Sequence, residues 1–169
     1  MLPFALSLID EQQVDIDEAQ VGNQDATYKS FILQRFALTG TCGSPPDVIN
    51  ALMKHEDYDR GFGPIGDSHF PYHKSKLSQD DYEAIDCAQA VKVVDTFLRV
   101  EEEQPPSLHA LATVDNLIRL HIRGASVLFQ LAADESKHHD VGGIYWHFFE
   151  LVALSRDATK LTVIAGWID

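Results

Sequence analysis

The side chains best suited to moving a proton are histidines set among rings. His147 stands in the run Tyr145-Trp146-His147-Phe148-Phe149. A single imidazole in an aromatic strand suits a pocket with few convergent polar groups, and a neutral imidazole exchanges protons near neutral pH. If the strand alternates, Tyr145, Phe149 and Leu151 share the face of His147 and line the same cavity, while Glu150 points the other way, to a rim or a dimer face. A second concentration comprises His55, Tyr58, Asp59, His69, Tyr72 and His73, in and beside the irregular stretch from Glu56 to Lys76. A loop so rich in rings, glycine and proline is expected to wrap a pocket mouth, adding His55, Tyr58, His69 and His73 to the lining. An Asp59–histidine couple there would polarise an imidazole or hold a base in place. The spacing His69-x-x-x-His73 matches two metal ligands one helical turn apart. Phe70-Pro71 between them opposes a helix, so no metal site is expected. His138-His139-Asp140 reads as a solvated loop.

These groups need elements to hold them. Alternation over Leu117–Arg123, the segment Ser126–Ala132, the run Ile144–Leu154 and the closing Leu161–Asp169 predict an antiparallel meander. Trp167 and Asp169 share a face of its last strand, with Trp167 joining the lining. Upstream, Tyr28, Phe31, Ile32, Arg35 and Phe36 are spaced by three and four, which predicts a helix capped by Asp25 and ending near Leu38, before Gly40. Ser44 followed by Pro45-Pro46 predicts a short helix from Asp47 to about His55. The capping signature Ser78-Gln79-Asp80-Asp81 predicts a long helix bearing Tyr82, Ile85, Ala88, Val91, Val94, Phe97 and Leu98 on one face. Residues 1–25 read as an N-terminal extension and 26–169 as a single domain. The order gives an α+β fold with about three N-terminal helices laid across one face of a curved antiparallel sheet.

Bulk properties narrow the partners. The chain has 169 residues, 13 Lys and Arg against 26 Asp and Glu, and a formal net charge of −13. That field repels nucleic acid and anionic membranes, so neither is an expected partner. Cys42 and Cys87 are far apart without a metal-ligand spacing, consistent with reduced thiols in a cytoplasmic protein. Leu2–Ile9 is apolar, but no cation precedes Lys29, so it does not read as a signal peptide. No apolar run is long enough to span a bilayer.

Three features taken in order carry a family resemblance. They are Leu108-His109, then Thr113-Val114-Asp115-Asn116-Leu117-Ile118, then a hairpin centred on Gly124 leading to Val127-Leu128-Phe129. Leu77–Tyr82 upstream and Thr159-Lys160-Leu161-Thr162 with Ile168-Asp169 downstream extend it. This pattern resembles the SnoaL-like branch of the NTF2-like superfamily, and is similar to small fungal isomerases and cyclases of meroterpenoid and polyketide biosynthesis. The resemblance implies a cone-shaped α+β barrel, frequently a homodimer, working without metal or organic cofactor. It also implies that His109, matching a family histidine at the start of the first long strand, faces the cavity. Where His147 stands the family more often has a carboxylate.

Together these readings predict a cofactor-independent isomerase or cyclase acting by acid–base chemistry on a small hydrophobic polyketide or terpenoid intermediate of secondary metabolism. His109, His147 and Asp59 are its candidate catalytic groups. Tyr58, His55, His69, His73, Tyr145, Phe149 and Trp167 are its candidate substrate contacts. The other reading is a non-catalytic acidic protein that binds or inhibits a basic partner, such as a toxin. A pocket that carries a ligand without chemistry is a third.

Overall fold

Two long runs, His147–Leu154 and Leu161–Ala165, are almost continuously apolar instead of alternating, and strands of that kind require cover on both faces. The computed structural model, which describes residues 4–16, 29–41, 43–58, 67–100, 106–139 and 147–168, supplies that cover. Six strands form one antiparallel sheet: β1 (Ala5–Asp15), β2 (Lys29–Thr39), β5 (Tyr82–Ile85), β6 (Ala125–Leu131), β7 (His147–Ser155) and β8 (Lys160–Ile168). Their order is β1-β2-β8-β7-β6-β5, with β1 and β5 as the two edges. The curved sheet is therefore open, and the expected closure into a cone is not found. A short hairpin, β3 (Ser68–His69) and β4 (Tyr72–His73), stands apart from it.

Each sheet face has its own core. On the first, Phe31, Leu33, Leu128, Phe149, Leu151, Ala153, Ile164 and Ile168 pack against α2 (Cys87–Arg99) and against α3 (Leu108–Val114) with α4 (Leu120–Arg123). On the second, Phe36, Phe129, Val152, Leu154, Leu161 and Val163 meet α1 (Pro45–Lys54), which contributes Val48, Ile49 and Leu52. Phe70 covers Ile32 and Ala165 beside them. Helical cover thus lies on both faces, not on one.

Four expected elements are corrected. Residues 5–15 are not a loose extension but an edge strand, where Asp10, Glu11 and Asp15 fit the charge that edge strands carry against further pairing. The helix expected up to Leu38 is β2; its threes and fours come from apolar residues buried on both faces, as in Phe31, Ile32 and Leu33. The strand expected over Leu117–Arg123 is helical. Its local alternation is overridden by Ala110, Val114, Ile118 and Ile122, one buried residue every four, and a wide π turn at Asp115–Arg119 keeps that stripe on the core. The Ser78 capping box forms, but it caps only a 3-10 turn, Gln79–Asp81. After β5 a second box, Asp86 with Gln89, starts α2. The short helix α1 and the strands β6, β7 and β8 match expectation within a few residues. Among the described residues no helix is long and apolar enough to cross a membrane.

Candidate functional site

Glu150 lies in the middle of β7 with no exposed surface. A carboxylate in that position is unstable unless hydrogen-bonded donors surround it. Three surround it. The hydroxyls of Tyr58 and Tyr82 each donate to Oε1 at 2.6 Å, and His69 Nε2 lies 2.5 Å from Oε2. Tyr58 also reaches His69 Nε2 at 3.0 Å, and its ring stacks on the imidazole with centroids 4.4 Å apart. The two phenol oxygens are in close contact with each other.

Each partner arrives by a different route. Tyr82 pairs with Leu131 on β6. The Gln130–Leu151 pair puts Leu131 opposite Glu150, so Tyr82 sits on the same rung two strands away. Tyr58 closes the turn that follows α1. His69 is aimed by the β3–β4 turn, in which Phe70 takes φ 52, a left-handed conformation costly for a bulky residue. That conformation is held from both sides. The Phe70 ring packs on Phe148 and Trp167 at 4.4 and 5.4 Å, and its carbonyl oxygen lies 2.6 Å from His139 Nε2. Burial first, and then the neighbouring Glu150 charge, push the Tyr58 phenol well above its ordinary acidity range. All four side chains are buried, so the cluster exchanges nothing with solvent in this conformation.

The opposite face of β7 carries a different feature. Between α2 and strands β6 and β7 runs an open cleft of about 470 Å³. Phe97, Phe149, Val93 and Val100 give it apolar walls, and Gln89, Lys92, Thr96, Gln130 and His147 supply polar groups. That volume and mixture fall within the range of small-molecule sites.

The expected site residues therefore separate. His147 and Phe149 line the cleft. Tyr58 and His69 belong to the sealed cluster on the other face. Glu150, expected at a rim or dimer face, is the centre of that cluster. His109 is exposed in the first turn of α3, not on a strand, and does not line the cleft. His55 lies 3.2 Å from the Leu6 carbonyl oxygen and ties the end of α1 to β1. His73 pairs with Asp67 at 3.3 Å at the protein surface. Trp167 packs on Phe70. His139 is buried and Tyr72 bridges to His138, so that segment is not the solvated loop expected. Asp59, Tyr145 and Asp169 lie outside the described residues. Sequence reasoning missed Tyr82 and Lys92, which it gave no site role. One signal was available for the buried cluster: a lone Glu inside an apolar run must find donors, and Tyr or His must supply them.

No family model and no curated protein matches the chain. Among solved structures, the crystal structure of citrus MAF1 aligns with a TM-score of 0.46 and 8% identity over 90% of this chain and 96% of that one. A likeness of that size carries no argument about function.

Proposed function

We propose that the chain binds a small, mainly apolar molecule in the cleft beneath α2, with His147 as the acid–base group that acts on it. The observation that carries this reading is the cleft itself, in which aromatic walls meet an imidazole and a few polar side chains. Proton transfer by one imidazole fits isomerisation or cyclisation of an enolisable substrate without a cofactor. The buried cluster is not assigned that chemistry. Its carboxylate is already occupied by three neighbours and has no route to solvent, so its role is to fix the sheet. A kinship with SnoaL-like enzymes would agree with such an activity, but the reading rests on the cleft and not on that resemblance.

Deuterium exchange at the α-carbon of 2-tetralone, followed by proton NMR, tests it. The wild-type chain should accelerate exchange and His147→Ala should abolish the acceleration. Equal rates with the two proteins would remove the assignment.

One observation favours a second reading, an acidic protein that binds a basic partner. Asp80, Glu83, Asp86, Asp134 and Glu135 are exposed along the β5 edge and the adjoining turn. Tyr72 senses part of this field, because its phenol is raised by burial, then by Glu150, Asp81, Asp134 and Glu135. Salt-sensitive binding of polylysine that is lost in Asp134→Asn/Glu135→Gln would support this reading, and no binding at low salt would dismiss it.

A further inference from the structure

The charge around the cleft defines its ligand more closely than the walls do. The chain carries twice as many acids as bases, yet among the described residues the cleft lining contains Lys92 and His147 and no Asp or Glu. Lys92 is exposed on α2 and makes no ion pair or hydrogen bond among the described residues. Several of the chain's other cations are occupied: Arg35 by Asp10, Arg119 by Asp95 and Asp115, Arg123 by Asp115, and Lys137 by Asp81. Glu83, opposite Gln130, stands one strand further out and does not line the cleft. Gln89, Thr96 and Gln130 add neutral hydrogen-bonding groups around the ring-lined walls.

We infer that the ligand is an organic monoanion, an aromatic or polycyclic acid whose charged group pairs with Lys92 while its ring system lies against Phe97 and Phe149. This inference rests on the proposed cleft site and names its ligand class. A carboxylate or sulfonate placed between Lys92 and His147 gains charge-assisted hydrogen bonds. The apolar body accounts for the walls, and the single charge accounts for Lys92.

Two fluorescent probes that differ by one sulfonate group test this: 8-anilinonaphthalene-1-sulfonate and its neutral parent N-phenyl-1-naphthylamine. Both should bind the wild-type chain, the anion more tightly, with amide shifts in ¹⁵N spectra centred on Val93, Thr96, Val100 and Phe149. Lys92→Gln should weaken the anion by about five- to tenfold and leave the neutral probe unchanged, as expected for one partly solvated charge-assisted contact. Thr96→Glu, also at an exposed helix position, should weaken the anion and spare the neutral probe. If the neutral probe binds with these shifts but neither variant discriminates the anion, the ligand inference fails and the cleft stands. If neither probe shifts these amides in the wild-type chain, the cleft reading fails with it.

Discussion

Removing the Glu150 carboxylate measures what the buried cluster contributes. In Glu150→Ala, the phenols of Tyr58 and Tyr82 and the imidazole of His69 lose the oxygens they now meet at 2.6, 2.6 and 2.5 Å. Each buried polar group left without a partner costs about 1–3 kcal/mol. Three groups would give several kcal/mol, but Tyr58 can still pair with His69 or Tyr82, which recovers part. The expected loss is about 4 kcal/mol, in the range for breaking a buried charged pair. Equilibrium urea unfolding reads it directly. With a slope near 2 kcal/mol per molar urea, the midpoint should fall by about 2 M. Tyr58→Phe should cost about 1–2 kcal/mol, because Tyr82 and His69 still hold the carboxylate. The double variant should cost less than the sum by about 1 kcal/mol, since both changes remove the same contact. Glu83→Ala, at an exposed edge position, should stay within about 0.5 kcal/mol of wild type. A Glu150→Ala loss below about 1 kcal/mol would refute the reasoning, because it would mean that water or other groups satisfy these side chains at no cost.

Three more outcomes follow from single features of the structure. The phenols of Tyr58 and Tyr72 are raised, chiefly by burial, so in an ultraviolet titration they should ionise after an unperturbed tyrosine. Above pH of about 10 the unfolded chain releases these protons and the folded chain keeps them, so stability is intact below that pH and falls as the pH rises further. A Tyr58 that ionises with the unperturbed group would contradict its sealed position. A Cβ added at Gly166 would overlap the buried Phe149 ring, so Gly166→Ala should destabilise by about 1–3 kcal/mol, with Phe149→Leu restoring part. A neutral Gly166→Ala would show that the ring moves freely. Asp157 accepts from the Ser155 hydroxyl at 2.6 Å and from the Thr159 amide at 3.1 Å, which lowers its carboxyl to about 2. Its stabilising effect on the β7–β8 turn is present above the ordinary carboxyl range and lost as pH falls towards about 2. An NMR titration should show that midpoint, and Ser155→Ala should raise it; no change would reject the Ser155 hydroxyl as the main cause.

The sequence was most legible where one rule acted alone. Pro45-Pro46 behind Ser44 marks a helix start whatever the fold, and α1 begins at Pro45. The apolar runs of β7 and β8 identify strands, and their failure to alternate already implies cover on both faces, which a cone covered on one side does not provide. It was least legible where two periods compete. Leu117–Arg123 alternates over seven residues, yet the stripe Ala110, Val114, Ile118, Ile122 extends over thirteen and prevails, because buried area accumulates along the longer match. Phe31, Ile32 and Leu33 are all fully or nearly fully buried, and residues buried on both faces of a strand mimic helical spacing. For the site, chemistry identified Tyr58, His69 and His147 as polar groups set among rings. It could not show that Tyr58 and His69 are sealed with Glu150, because that depends on strand register and on the left-handed turn at Phe70.

Register also links the two features. Glu150 and His147 are three residues apart on β7 and face opposite sides of the sheet, and Phe149 between them belongs to the cleft. A strand cannot slip by one residue without exchanging its faces, which would turn His147 to the second face and Glu150 to the core under α2. The apolar residues of β7 do little to oppose such a slip, because both faces accept them. The polar cluster opposes it strongly, since only the present register brings a carboxylate to Tyr58, Tyr82 and His69. The buried cluster is thus the device that sets which side chains the cleft receives. A buried polar group can set register in this way where the surrounding strand is otherwise apolar.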